Sequence, residues 1–322
     1  MKFPSFLLIL LTTFAAAPLQ AAILTVDNNP GAVAQFNNFP AAYAAASNGD
    51  TILLAGSSTG YPGAIIYKRL NIVGPGYLLS ENAVPGLSTN SARLTIELRK
   101  DVLLGDASGS VITGMDVGLA TVGSGMTGIR FEKCTSSQSI VTSSPCVFKG
   151  SNLSSVNFGS GSEGSLISNC LLSSLLLNTT NLSATHCVVK SGFFAGPNTS
   201  ISNSIFTVTP QSSLSTAGSI TNCLSIAGAF LPAGGGNING PVVIGNVFLN
   251  TGSDDAKWQL APGSPAIGTG TGGSNMGAFG GATPYVLSGV PGRPRLTRLV
   301  VPATATSSSG LQFEVDARAF TD

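Results

Sequence analysis

One short segment, apolar–x–Asn–Cys/Ser–apolar, returns along this chain as Ile167–Leu171, Ala184–Val188, Ile201–Ile205, Ile220–Leu224 and Ile244–Phe248, with first residues 17, 17, 19 and 24 apart. The same frame continues upstream in decayed form from Phe148, Phe131 and Ile112, at spacings of 19, 17 and 19. A unit of this length is too short for two packed helices. The stretches between units, such as Asn178–Ser183, are rich in Ser, Thr, Gly and Asn and poor in helix formers. Short β-branched strands joined by Gly/Asn turns suit one turn of a parallel β-helix, with coils stacked about 4.8 Å apart and like residue over like. The repeat therefore predicts one inward column: Ile112, Phe131, Phe148, Ile167, Ala184, Ile201, Ile220 and Ile244. It also predicts a structural ladder of Asn169, His186, Asn203, Asn222 and Asn246, whose inward side chains hydrogen-bond from coil to coil.

Composition agrees with an extended all-β chain. Hydrophobic residues make up 43% and charged residues 9%, against roughly 25% charged in an ordinary domain, so the chain is neither disordered nor ionic. The 40 glycines follow no Gly-X-Y period. Fifteen basic residues face 14 acidic ones with no basic block, which argues against nucleic acid or anionic lipid as partner. With His186 as the single histidine, a zinc site built on several histidines is ruled out. No metal and no cofactor is expected.

Residues 1–21 read as a secretory signal: Lys2, the apolar run Phe6 to Ala17, then Pro18, Leu19, Gln20, Ala21 and Ala22. The run has 12 residues, where a membrane-spanning helix needs about 20. Export is expected, to the cell surface or medium or into a periplasm, with no membrane insertion after cleavage at Ala21 or Ala22. The expected domains are a signal over 1–21, a β-helix over 22–285, and a linker with a short strand pair over 286–322.

The coils resemble the right-handed parallel β-helix of the pectate-lyase-like superfamily, whose members often carry an asparagine ladder at a tight turn. Phe39–Leu54 is similar to the capping helix and the Gly-Asp-Thr-Ile entry of that group, Leu70–Gly76 to its second strand, and Trp258–Gly268 with Gly277–Gly280 to the closing segment of secreted bacterial members of unknown activity. The closing segment departs from the usual pattern at Gly268 and Asn275, where acidic residues are commoner. The resemblance implies an all-β solenoid with a short N-terminal capping helix and a short C-terminal β tail.

No complete catalytic set emerges. Hydrolases on such a fold need paired carboxylates, and lyases need clustered acids for Ca²⁺ with an Arg or Lys base. The only acidic dipeptide, Asp254–Asp255, reads as a solvated turn. Arg130, Glu132 and Lys149 form the densest charge group, with two readings: an outward ion pair between stacked strands, or a substrate groove. Of five cysteines, Cys170 and Cys187 share a repeat position, which permits a disulfide; a column of small buried thiols interchanging with Ser204 is the other reading. Three G-x-G-x-x-G matches, at Gly123, Gly159 and Gly268, read as solenoid turns. The expected function is that of a secreted surface or matrix-type protein, structural or binding, whose elongated face contacts carbohydrate or another protein, with a polysaccharide or a cell-surface component as partner. The alternative is a lyase or glycoside hydrolase acting on acidic polysaccharide.

Overall fold

The structure, a computed structural model, describes residues 21–84, 86–176, 180–194, 196–209, 218–301, 310–311 and 313–319. Residues 1–20, where nearly all of the expected signal falls, and Asn178 lie outside these residues. The chain winds between two ten-stranded parallel sheets and forms a parallel β-solenoid. The first sheet runs from Ile23–Val26 to Ser219–Thr221, and the second from Tyr61–Ile66 to Ile238–Asn239.

In the first sheet, Leu24, Ile52, Ile72, Ile112, Phe131, Phe148, Ile167, Ala184, Ile201 and Ile220 stand opposite one another on successive strands. None is more than 8% exposed. The column thus holds the first seven residues expected from the repeat and extends three strands further upstream. Phe131 and Phe148 stack in parallel with ring centroids 5.2 Å apart. Ile244 is a correction: it opens the short helix Ile244–Val247, beyond the last strand, and is 39% exposed. At the other end the helix Phe39–Ala45 caps the core. Asn38 Oδ1 accepts from Ala41 N–H at 2.9 Å, and Phe39 and Ala42 are buried over the first coils.

Each coil then turns a tight corner into the second sheet. Gly114, Lys133, Gly150, Asn169, His186, Asn203 and Asn222 occupy that corner with φ between 49° and 65°. The left-handed region suits Gly, and Asn better than other side chains, which explains the residue choice at most of these positions. The residue after the corner turns inward: Cys134, Ser151, Cys170, Cys187, Ser204 and Cys223 are at most 1% exposed. Each donates its S–H or O–H to the carbonyl two residues back, as Cys134 does to Glu132 (3.3 Å) and Ser204 to Ser202 (2.8 Å). The interior ladder is therefore thiol and hydroxyl. All five cysteines are free, Cys170 and Cys187 included.

A second core lies outside the second sheet. Leu171, Val188, Ile205 and Leu224 stack in register on its outer side and pack with Val247, Phe248, Ala266, Met276, Ala278 and Tyr285. These partners belong to the chain after the last coil, which folds back as a strap along the corners. Past the strap, Pro294–Val300 pairs antiparallel with Glu314–Ala319.

Candidate functional site

The strap determines what the ladder residues do. Asn222 Nδ2 donates to Thr269 O (3.2 Å), and Thr271 N–H donates to Asn203 Oδ1 (2.8 Å). His186 Nε2 lies 3.5 Å from Ser274 Oγ, while Asn169 Nδ2 donates to Ala278 O (3.0 Å) and Gly280 O (2.8 Å). The strap then reaches earlier corners: a Cβ on Gly289 would sit 2.4 Å from Lys133 O, and one on Gly114 2.3 Å from Pro291. Four of the five expected ladder residues thus share one line, but their side chains face the strap instead of each other. The reason is the left-handed corner, which breaks the in–out alternation of the strand. Asn246 is no member; it lies in the helix Ile244–Val247 and is exposed.

A buried polar knot fastens the strap. Asp255, expected in a solvated turn, is 0% exposed, which corrects that reading. Its carboxylate accepts from Ser253 Oγ (2.7 Å), Asn82 Nδ2 (2.9 Å), Ser288 N–H (2.7 Å) and Tyr285 Oη (3.2 Å). Tyr77 and Tyr285 hydroxyls meet at 2.5 Å, and burial drives both phenols well above their ordinary range. Four donors neutralise the desolvation of the acid, so the knot reads as structure. Asp254 is exposed and paired with Lys257.

Over its last coils the outer face of the first sheet is left open by the strap. It carries two ranks, one either side of the buried column. Over the last coils these are Ser183, Ser200 and Ser219, and Ser168, Thr185, Ser202 and Thr221, in unbroken register. All seven side chains are hydroxyls, and all are partly or fully exposed. Thr185 Oγ1 accepts from Ser202 Oγ at 3.1 Å, so the rank is ordered in part by itself.

Toward earlier coils the second rank becomes Lys149, Glu132 and Thr113. Here a cleft of about 220 Å³ opens between the sheet and the strap, lined by Glu132, Lys133, Lys149 and Arg293. Glu132 and Lys149 are register partners, yet the ion pair runs along one strand, from Arg130 to Glu132. Arg293 is half-buried, which lowers its pKa by desolvation. A second cleft of about 500 Å³, lined by Asp27, Leu53, Val73 and Arg293, continues the furrow toward the N-terminal coils. Sequence reasoning weighed Arg130, Glu132 and Lys149 but missed Arg293, which no repeat position announces.

Among the described residues no three His, Cys, Asp or Glu side chains gather to hold a metal ion. No helix among them is long and apolar enough to cross a membrane. His186 has its pKa lowered by burial, and its Nδ1 sits 3.0 Å from Thr185 Oγ1. Compared with models of known families, with curated proteins and with solved structures, the chain matches none.

Proposed function

We propose that this is an exported β-helix protein related to the pectate-lyase-like group, and that it binds polysaccharide along the outer face of its first sheet. The observation that carries the reading is the double rank of seven hydroxyls on Ser168, Ser183, Thr185, Ser200, Ser202, Ser219 and Thr221. Neighbouring strands stand about 4.8 Å apart, and alternate residues on one strand about 6.6 Å apart. Hydroxyls both donate and accept, as sugar hydroxyls do, and a lattice of them suits a polymer that repeats. Charge is absent from this stretch, so recognition there is of neutral groups.

A panel of insoluble and soluble polysaccharides tests the reading, assayed for binding and for unsaturated products. Binding without product is expected. Ser200 and Ser219 are exposed, so Ser200→Lys with Ser219→Lys leaves the fold intact and should abolish the binding. Unchanged binding in that double variant would remove this face from consideration. The enzyme alternative draws on the cationic cleft beside the face, and product release from an acidic polysaccharide would favour it. Export is tested by N-terminal sequencing, with Ala22 or Ile23 expected first.

A further inference from the structure

Three consecutive aliphatic side chains stand in water on the flank of the solenoid. Lys100–Asp101 and Gly105–Asp106 pair antiparallel, and the turn between them is Val102, Leu103 and Leu104, which are 101%, 92% and 63% exposed. The turn is braced at every level. Asp101 Oδ1 accepts from Leu103 N–H (2.8 Å) and Leu104 N–H (3.0 Å), Lys100 Nζ pairs with Asp106 Oδ2 at 2.9 Å, and Ala107 N–H closes the base on Arg99 O. Gly105, with φ of 123°, seats the hairpin against Tyr67, where a Cβ would fall 2.4 Å from the carbonyl oxygen. The hairpin thus holds roughly 400 Å² of apolar surface in water, an area that on a monomer marks an interaction site. The strand that leads into it, Leu94–Leu98, also lines a groove of about 330 Å³ on the outer side of the second sheet. Gly63, Ala64, Ile65 and Leu119 give that groove an apolar lining. Ile65 and Leu119 are exposed there, because the strap packs on the later coils, from Leu171 to Leu224.

We propose that the hairpin docks in this groove on a second copy of the chain, making a reciprocal dimer. A twofold interface needs plug and socket on one face of one protomer, and here a single strand joins them. With each hairpin fully seated and an equal area covered on each groove, about 1,600 Å² leaves water, the size of a standard stable interface. The charges around the hairpin argue against a bilayer as the occupant. Arg99 and Lys100 are matched by Glu97, Asp101 and Asp106, which leaves no basic surplus for anionic lipid. One short apolar signal also gives only marginal anchoring. The groove belongs to the second sheet, so pairing leaves the hydroxyl face of the first sheet open, and a dimer presents two such faces. The dimer stands whether or not that face binds polysaccharide.

The experiment is sedimentation of the full chain over a concentration series reaching about 100 μM. Wild type is compared with a hairpin variant, Leu103→Ser with Leu104→Ser, and a groove variant, Ile65→Glu, with melting temperature as the check on folding. All three positions are exposed, so the fold should persist. Wild type should be dimeric, and each variant should raise the dissociation constant by about tenfold or more. Mixed in equal amounts, the two variants bring together one intact hairpin and one intact groove, so the mixed dimer should be tighter than either variant's own. Monomeric wild type throughout the series overturns the proposal, as does a hairpin variant that pairs as wild type does. A groove variant that pairs as wild type does, beside a monomeric hairpin variant, overturns the groove as the socket. Flotation with phosphatidylcholine vesicles, with and without phosphatidylglycerol, tests the bilayer. Vesicle binding by a monomeric wild type, lost in the hairpin variant, would overturn the dimer and assign the hairpin to lipid. If Ile65→Glu unfolds, Leu119→Glu takes its place.

Discussion

Asn203 and Thr271 are 68 residues apart, yet the Thr271 N–H and Oγ1 both donate to Asn203 Oδ1, at 2.8 and 3.1 Å. Asn203 also holds the left-handed corner, with φ of 51°. Asn203→Leu should therefore lose about 2–4 kcal/mol, from left-handed strain and from the loss of both hydrogen bonds to Thr271. Asn203→Gly keeps the corner and should lose only about 1–2 kcal/mol. Asn250 has φ of 56° but is exposed, so Asn250→Leu measures the strain alone, about 1–2 kcal/mol. Urea midpoints of the three variants decide; equal losses for Asn203→Leu and Asn250→Leu would show that the strap bond contributes nothing.

His186 should give the strap a pH dependence. Its folded pKa is lowered by burial, so the unfolded chain takes up the proton first as pH falls below about 6.5. Stability is full above that value and declines as pH falls through the folded pKa. His186→Asn, which copies the neighbouring corners, should flatten this part of the profile. As the single histidine, it can be followed by NMR, and a titration midpoint above 6.5 would contradict the assignment.

Burial pushes the thiols of Cys134, Cys146, Cys187 and Cys223 up to about 12, and that of Cys170 well above its ordinary range. The thiolate is the reactive form, so native protein should resist alkylation. Mass spectrometry should find no label in the folded state and five after denaturation. Rapid labelling of native protein would show that the column opens.

Asp255→Asn tests the knot. The amide keeps the shape but turns one acceptor into a donor, facing Asn82 and Ser253 on one side and Ser288 and Tyr285 on the other. A loss of about 1–3 kcal/mol is expected in chemical denaturation. An unchanged midpoint would return Asp255 to the status of an ordinary turn residue.

The solenoid was legible because coil length equals repeat length, which put Ile112 through Ile220 in register from spacing alone. The segment Ile244–Phe248 matches the pattern by composition, yet the chain has already left the sheets at Ile238–Asn239. The direction of the Asn side chains was not legible, since a single left-handed residue reverses the alternation that strand reasoning assumes. The strap left one readable trace. Leu171 and Leu172, Val188 and Val189, and Ile205 and Phe206 are adjacent apolar pairs, so both faces of those strands require cover. Arg293 and Lys149 line one cleft only because the strap brings residues 283–293 onto the first sheet, and nothing periodic encodes that arrangement.

Stacked repeats ordinarily hold together by nearest-neighbour contacts, so their ends can fray one coil at a time. Here the last segment of the solenoid chain bonds to corners from Asn222 back to Asn169 and then to Tyr77, across separations from 47 to 208 residues. Its docking requires all of those coils to be present at once, and loss of any one of them weakens the hold on the others. The array is therefore expected to unfold as one cooperative unit, with the strap, tied to partners so distant in the chain, the element expected to close last during folding.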